Sequence, residues 1–158
     1  MATITAQLTV NSDITDYGFG INKTMTMSKA GATTGLDRTT GVQRVYLTDT
    51  KHIDLAKGGL TNTNLADMTL SASAKVYIKY LEDDTSKFIR IGLGNEADGT
   101  TATANNGDGT HFEIGRLYGN EWMIIPWNGA SNVGDITVQP SVATSADKAI
   151  VEYIVFFE

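Results

Sequence analysis

The residues whose types and spacing suit chemistry form four small groups. His52-x-Asp54 and His111-x-Glu113 each set an imidazole and a carboxylate on one face of an extended segment. If the two pairs met, their donors would suit a divalent metal. With 2 His and no Cys in the chain, the expectation is instead two ordinary polar strand faces. Asn105-Asn106-Gly107-Asp108-Gly109 has the look of a calcium loop. It lacks the spaced carboxylates and distal bidentate Glu of a calcium-binding hand, and reads as a glycine-rich turn. Glu82, Asp83 and Asp84 supply carboxylates, but adjacent residues in a turn give neither the separation nor the raised pKa of a glycosidase pair. Tyr77, Tyr80, Trp122, Trp127, Tyr153 and Phe156 would make a sugar-stacking platform if they shared a surface, whereas aromatics on strands usually belong to the core. No G-x-S-x-G nucleophile turn occurs. The expectation is a non-enzymatic protein without catalytic, cofactor or metal residues.

The elements that carry these groups are strands. Ile4, Ala6, Leu8 and Val10 alternate with Thr, Thr, Gln and Thr, a period of two that predicts a half-buried strand. A second alternation runs through Phe19, Ile21, Lys23, Met25 and Met27. Both leave Thr outward, where its branched side chain fits a pleat and its hydroxyl stays wet. Ser28 to Gly41 is rich in small residues and predicts a long loop suited to contacting a neighbouring molecule. Val42–Thr48 and His52–Leu55 read as short strands, and residues 58–74 give no sustained helical period.

From Lys75 onward, apolar runs of strand length alternate with turn residues. They are Val76–Tyr80, Phe88–Leu93, His111–Ile114, Trp122–Trp127, Asp135–Val138 and Ile150–Phe157. The first two, joined through Glu82-Asp83-Asp84, predict an antiparallel hairpin with one wet side. Residues 94–110 form a long loop of Gly, Asn, Asp, Ala and Thr. Pro126 predicts an edge strand, because it cannot donate to a ladder. The last run is apolar on both faces except at Glu152, so both faces need a cover. One faces a core; the other meets either a partner subunit or another part of this chain. Eight to ten strands with turn signals every 8–12 residues or so predict an all-β fold, an antiparallel two-sheet β-sandwich of jelly-roll type.

At 158 residues the chain is one domain by size and can bury about 70% of its unfolded surface. Residues 1–30 read as an extended N-terminal segment that contacts neighbours. With no Cys, disulfides and thiolate metal sites are excluded. A net charge of -6 argues against tracking nucleic-acid phosphates. No apolar stretch approaches the roughly 20 residues of a membrane span. The first residues lack the basic and apolar signature of a signal peptide, which predicts a protein made and assembled without a secretion signal of its own and an unmodified sequon at Asn22.

The order of motifs carries a resemblance. Val76-Tyr77-Ile78-Lys79-Tyr80 is followed by Phe88-Ile89-Arg90-Ile91-Gly92. Leu117-Tyr118-Gly119-Asn120-Glu121-Trp122 comes next, with Ile125-Pro126-Trp127. Asp135-Ile136-Thr137-Val138 and Val151-Glu152-Tyr153 through Glu158 complete the series. This order resembles small β-sandwich virion structural proteins of tailed bacteriophages. It covers residues 75–158; Tyr80 stands where that pattern has Asn, and Asn120 where it often has Gly. The resemblance implies a capsid decoration (cement) protein on the virion exterior that bridges major capsid proteins, or a tail, baseplate or fibre component. It implies no cofactor and a homo-oligomer, expected to be a trimer. The interface expected from the two-sided terminal strand and its neighbours comprises Ile150, Ile154, Phe156, Trp127, Leu36 and Arg38. A receptor- or carbohydrate-binding β-sandwich module is the alternative.

Overall fold

The computed structural model describes residues 4–12, 20–27, 36, 38–47, 74–94, 111–127, 135–141 and 149–157. Ten strands occur among them: β1 (Thr5–Asn11), β2 (Gly20–Thr26), β3 (Arg38–Thr39), β4 (Gln43–Leu47), β5 (Ala74–Tyr80), β6 (Phe88–Gly94), β7 (His111–Tyr118), β8 (Trp122–Trp127), β9 (Asp135–Pro140) and β10 (Ala149–Phe157). All pairings are antiparallel. None of the described residues is helical.

Two sheets make a β-sandwich. The larger runs β4-β10-β5-β8, with β3 continuing the β4 edge along β10; the smaller runs β7-β6-β9. Period-two patterning decides which side chains meet. Along β10, Ala149, Val151, Tyr153, Val155 and Phe157 are buried while the residues between them are half-buried, and β5 repeats this with Ala74, Val76, Ile78 and Tyr80. Ile89, Ile91, Leu117, Ile136 and Val138 of the smaller sheet close the same hydrophobic cluster from the other side. Fully burying each aliphatic side chain contributes about 1.5–3 kcal/mol, so this layer dominates stability.

The expected hairpin of Val76–Tyr80 with Phe88–Leu93 does not form. β5 pairs with β10 and β8, whereas β6 pairs with β7 and β9. The acidic connection is therefore an arch between sheets. The physical reason lies in the side chains: both strands bury an apolar face, and two such strands close a core better from opposite sheets than edge to edge. The Gly119-Asn120 turn is a second arch, from β7 in one sheet to β8 in the other.

The two arches lock together. Asn120 N–H donates to Tyr80 O at 3.1 Å and Tyr80 N–H to Glu121 O at 3.0 Å, while Asn120 Nδ2 reaches Asp83 Oδ1 at 3.0 Å. Asn120 holds a φ of 65°, a left-handed conformation that Asn tolerates. Gly119 is buried against the other arch: a Cβ there would lie 2.6 Å from Glu82 O and 3.0 Å from Asp84 O.

Among the described residues the chain's 2 prolines both sit in edge strands, Pro126 in β8 and Pro140 in β9. The edge position of Pro126 matches the expectation. The smaller sheet has three strands among the described residues, so the second four-stranded sheet expected of a jelly roll is not seen there. The predicted strand at His52–Leu55 and the predicted loop at 94–110, apart from Gly94 in β6, fall outside the described residues.

Ser28 to Gly41 is not wholly loop. Leu36 is fully buried, its N–H bonded to Met27 O at 2.7 Å, and β3 pairs with the end of β10. Between β3 and β4 the register slips by one residue. From Phe156 to Tyr153 is three steps on β10, while their partners Thr39 and Gln43 are four apart. Gly41, at this slip, takes a φ of 67°.

Candidate functional site

The outer face of the larger sheet, opposite the core, holds half of the expected interface and platform residues. Ile150, Glu152, Ile154 and Phe156 of β10 point there, as do Lys75, Tyr77 and Lys79 of β5 and Trp122 and Ile124 of β8. Of the two covers that the β10 pattern allows, this chain supplies one in part. The β1–β2 hairpin lies over this face, and two cavities open between them. One, about 350 Å³, is lined by Thr5, Gln7, Tyr77, Glu152, Ile154 and Phe156 among others. The second, about 260 Å³, is lined by Leu8, Lys23, Met25 and Trp122. Ala6, Gln7 and Ile124 border both.

The hairpin is the least buried part of the described chain. Every residue of β2 is exposed. Ala6, Leu8 and Val10 face Met25, Lys23 and Ile21 across the pair, giving an apolar side broken only by the ammonium. Leu8, Ile21 and Met25 are 46%, 40% and 45% exposed, and Trp122 beside them 48%. The other side is polar, with Gln7 Nε2 donating to Asn22 Oδ1 at 3.0 Å.

The structure sorts the six platform aromatics into two sets. Tyr80, Trp127 and Tyr153 are buried in the core, while Tyr77, Trp122 and Phe156 border the outer cavities. Tyr77 and Trp122 stand 6.2 Å apart, tilted by 39°. Glu152 accepts from Arg44 Nε at 3.0 Å. Partial burial of Tyr77, and then the negative charge of Glu152, hold its hydroxyl above the ordinary tyrosine range. Of the expected interface residues, Ile154 and Phe156 border this groove and Ile150 lies on the same face. Trp127 and Leu36 bury their side chains inside the chain, so they offer no side-chain surface to a neighbour. Arg38 is placed in β3 opposite Phe157.

A second polar constellation, which the sequence reading missed, lies on the outer face of the smaller sheet. Arg90 and Arg116 are direct cross-strand partners, a like-charge pairing that would repel. Glu113 resolves it: Arg116 Nε lies 2.7 Å from one carboxylate oxygen and Arg90 Nε 3.4 Å from the other. Both guanidiniums also sit over the Phe88 ring, at 5.4 and 4.6 Å, with the Tyr118 ring 5.4 Å from it and tilted by 53°. Glu113 is thus committed to arginine rather than to a His111-x-Glu113 metal pair. The signal available was period-two spacing, which puts Phe88 and Arg90 on one face and Arg116 and Tyr118 on one face.

The remaining candidates resolve as follows. His52, Asp54 and residues 105–109 lie outside the described residues. Among the described residues no three His, Cys, Asp or Glu side chains gather as a metal would need. Glu82, Asp83 and Asp84 serve the arch. Glu82 Oε1 accepts from Asp83 N–H, and Asp83 accepts from Asn120. Asp84 accepts from the Ser86 hydroxyl at 2.6 Å and from Ser86 N–H at 2.9 Å, bonds that hold its pKa below the usual carboxylate range. Compared with known proteins, the chain matches no family model, no curated protein and no solved structure.

Proposed function

We propose that this chain is a non-enzymatic virion structural protein of a tailed bacteriophage, acting as a capsid decoration protein that bridges and stabilises major capsid proteins. The observation that carries the reading is the division of labour in the fold. A β-sandwich closed on its own core bears a hairpin whose apolar side chains stay largely exposed, as a protein built to adhere to a larger assembly requires. The motif order from Val76 to Glu158, which resembles virion β-sandwich proteins, supports it, as does an acidic net charge suited to the outside of a shell rather than to packaged DNA. In this reading the protein sits on the capsid exterior as a homo-oligomer, with three copies grouped about a threefold axis. Closed cyclic symmetry satisfies an exposed patch without runaway growth.

The test is addition of purified protein to phage capsids lacking their decoration. Co-sedimentation and a higher particle melting temperature are expected; unbound protein with unchanged particle stability refutes the reading. A tail, baseplate or fibre position would show as binding to tails and not to capsids.

A second reading, a carbohydrate-binding module, draws on Tyr77 and Phe156 bordering one outer cavity and Trp122 the neighbouring one. Glycan-array binding abolished by Trp122→Ala would establish it, and an empty array would remove it. Trp122 is the residue to change, because Trp127 belongs to the core.

A further inference from the structure

We propose that the open edge of β2 is a strand-addition site whose occupant is β2 of a second copy, paired antiparallel about a twofold axis at Thr24. The inference stands on the hairpin alone and goes beyond the capsid reading.

A two-stranded sheet is marginal in water, and this one keeps every residue of its outer strand exposed. Among the described residues β2 pairs only with β1, and Ala6 and Val10 of β1 are half-buried whereas every residue of β2 is exposed, so β2 presents the more accessible edge. Met27 N–H donates to Ile4 O at 3.0 Å, toward β1. Bonding direction alternates along a strand, so the peptide groups of Asn22, Thr24 and Thr26 point to the open side. β2 has no proline and no carboxylate, and Lys23 is its one charged residue. The devices that normally blunt an edge are nearly missing here.

The sequence of β2 also selects its partner. A twofold at Thr24 sets Thr24 opposite Thr24, Asn22 opposite Thr26 and Lys23 opposite Met25 of the second copy. Polar residues then meet polar ones on one side, and no like charges stand opposed. Moving the axis to Lys23 would place two ammonium groups face to face. In the Thr24 register the two hairpins form one four-stranded sheet, β1-β2-β2-β1, whose apolar side is broken only by the two Lys23 ammonium groups. This contact is distinct from a threefold grouping, and a particle can use both.

The absence of cysteine makes the test clean. In an antiparallel bonded pair the Cα atoms lie about 5.5 Å apart, within disulfide reach. Thr24→Cys should convert most of the 17.0 kDa chain to a covalent dimer under mild oxidation, while Thr9→Cys on β1 should not. Thr24→Lys should weaken self-association at least tenfold by sedimentation, with Thr9→Lys unchanged. Matching far-UV spectra and melting temperatures under reducing conditions establish that each variant is folded. A folded Thr24→Cys chain that stays monomeric, or Thr9→Cys linking equally well, overturns the proposal.

Discussion

Gly119→Ala is the sharpest test of the locked arches. The added methyl would sit 2.6 Å from Glu82 O, 3.0 Å from Asp84 O and 3.1 Å from Asp84 C, all backbone atoms that cannot rotate away. Relief requires the two arches to separate by several tenths of an ångström. That movement strains the 3.1 Å Asn120–Tyr80 bond and the 3.0 Å Tyr80–Glu121 bond. Overpacking costs about 1–3 kcal/mol and each weakened hydrogen bond about 0.5–1.5. Restricting the unfolded chain offsets about 0.4–1 kcal/mol. The net is a loss of about 2–4 kcal/mol. For a chain of this size each kcal/mol moves the midpoint by about 2–4 °C, so thermal unfolding should fall by about 4–16 °C. Gly115→Ala is the control: nothing lies within 4 Å of a Cβ there, and the change should stay within about 0.5 kcal/mol. A Gly119→Ala protein that melts with Gly115→Ala would show that the close approach does not constrain the corner.

Other consequences are equally direct. Ile78→Ala, at a fully buried position in the central strand of the larger sheet, should cost about 2–5 kcal/mol by urea denaturation. Asn120→Ala should destabilise more than Asn120→Gly, because both lose the bond to Asp83 but only Ala retains a strained left-handed backbone. Asp84 has a depressed folded pKa, so its contribution is present above the unfolded pKa and fades as pH falls through the folded one; Ser86→Ala should raise its NMR titration midpoint. Tyr77 has a raised folded pKa, so its contribution holds below the ordinary tyrosine value and fades as pH rises through the folded one. Glu152→Gln should bring its ultraviolet titration down toward that ordinary value.

Strand identity was legible wherever one face is buried. β5 alternates cleanly, and the alternation names its core residues correctly, whereas β10 is apolar on both faces and its burial pattern shows which face meets the core. Partnership was not legible there. β5 and β6 are sequence neighbours with the pattern of a hairpin, and period two cannot tell a turn within a sheet from an arch between sheets. The clue was Gly119, whose need for a bare Cα reflects a backbone 37 residues upstream in Glu82 and is invisible in its own turn. Leu36 was hidden for a similar reason: a lone apolar residue among Gly and Thr has no period to declare its burial. The Arg90–Glu113–Arg116 cluster needed the cross-strand register, which the bulge between Ile91 and Gly92 shifts. The outer groove needed the hairpin's resting place, set by contacts that no local pattern encodes.

The placement of the two prolines bears on life at high density. Proteins stored or displayed in large numbers risk polymerising edge to edge into fibrils, and Pro126 and Pro140 deny that route to one edge of each sandwich sheet. Where a free edge does remain, pairing across a twofold axis uses it up, so attachment would terminate at two copies instead of propagating.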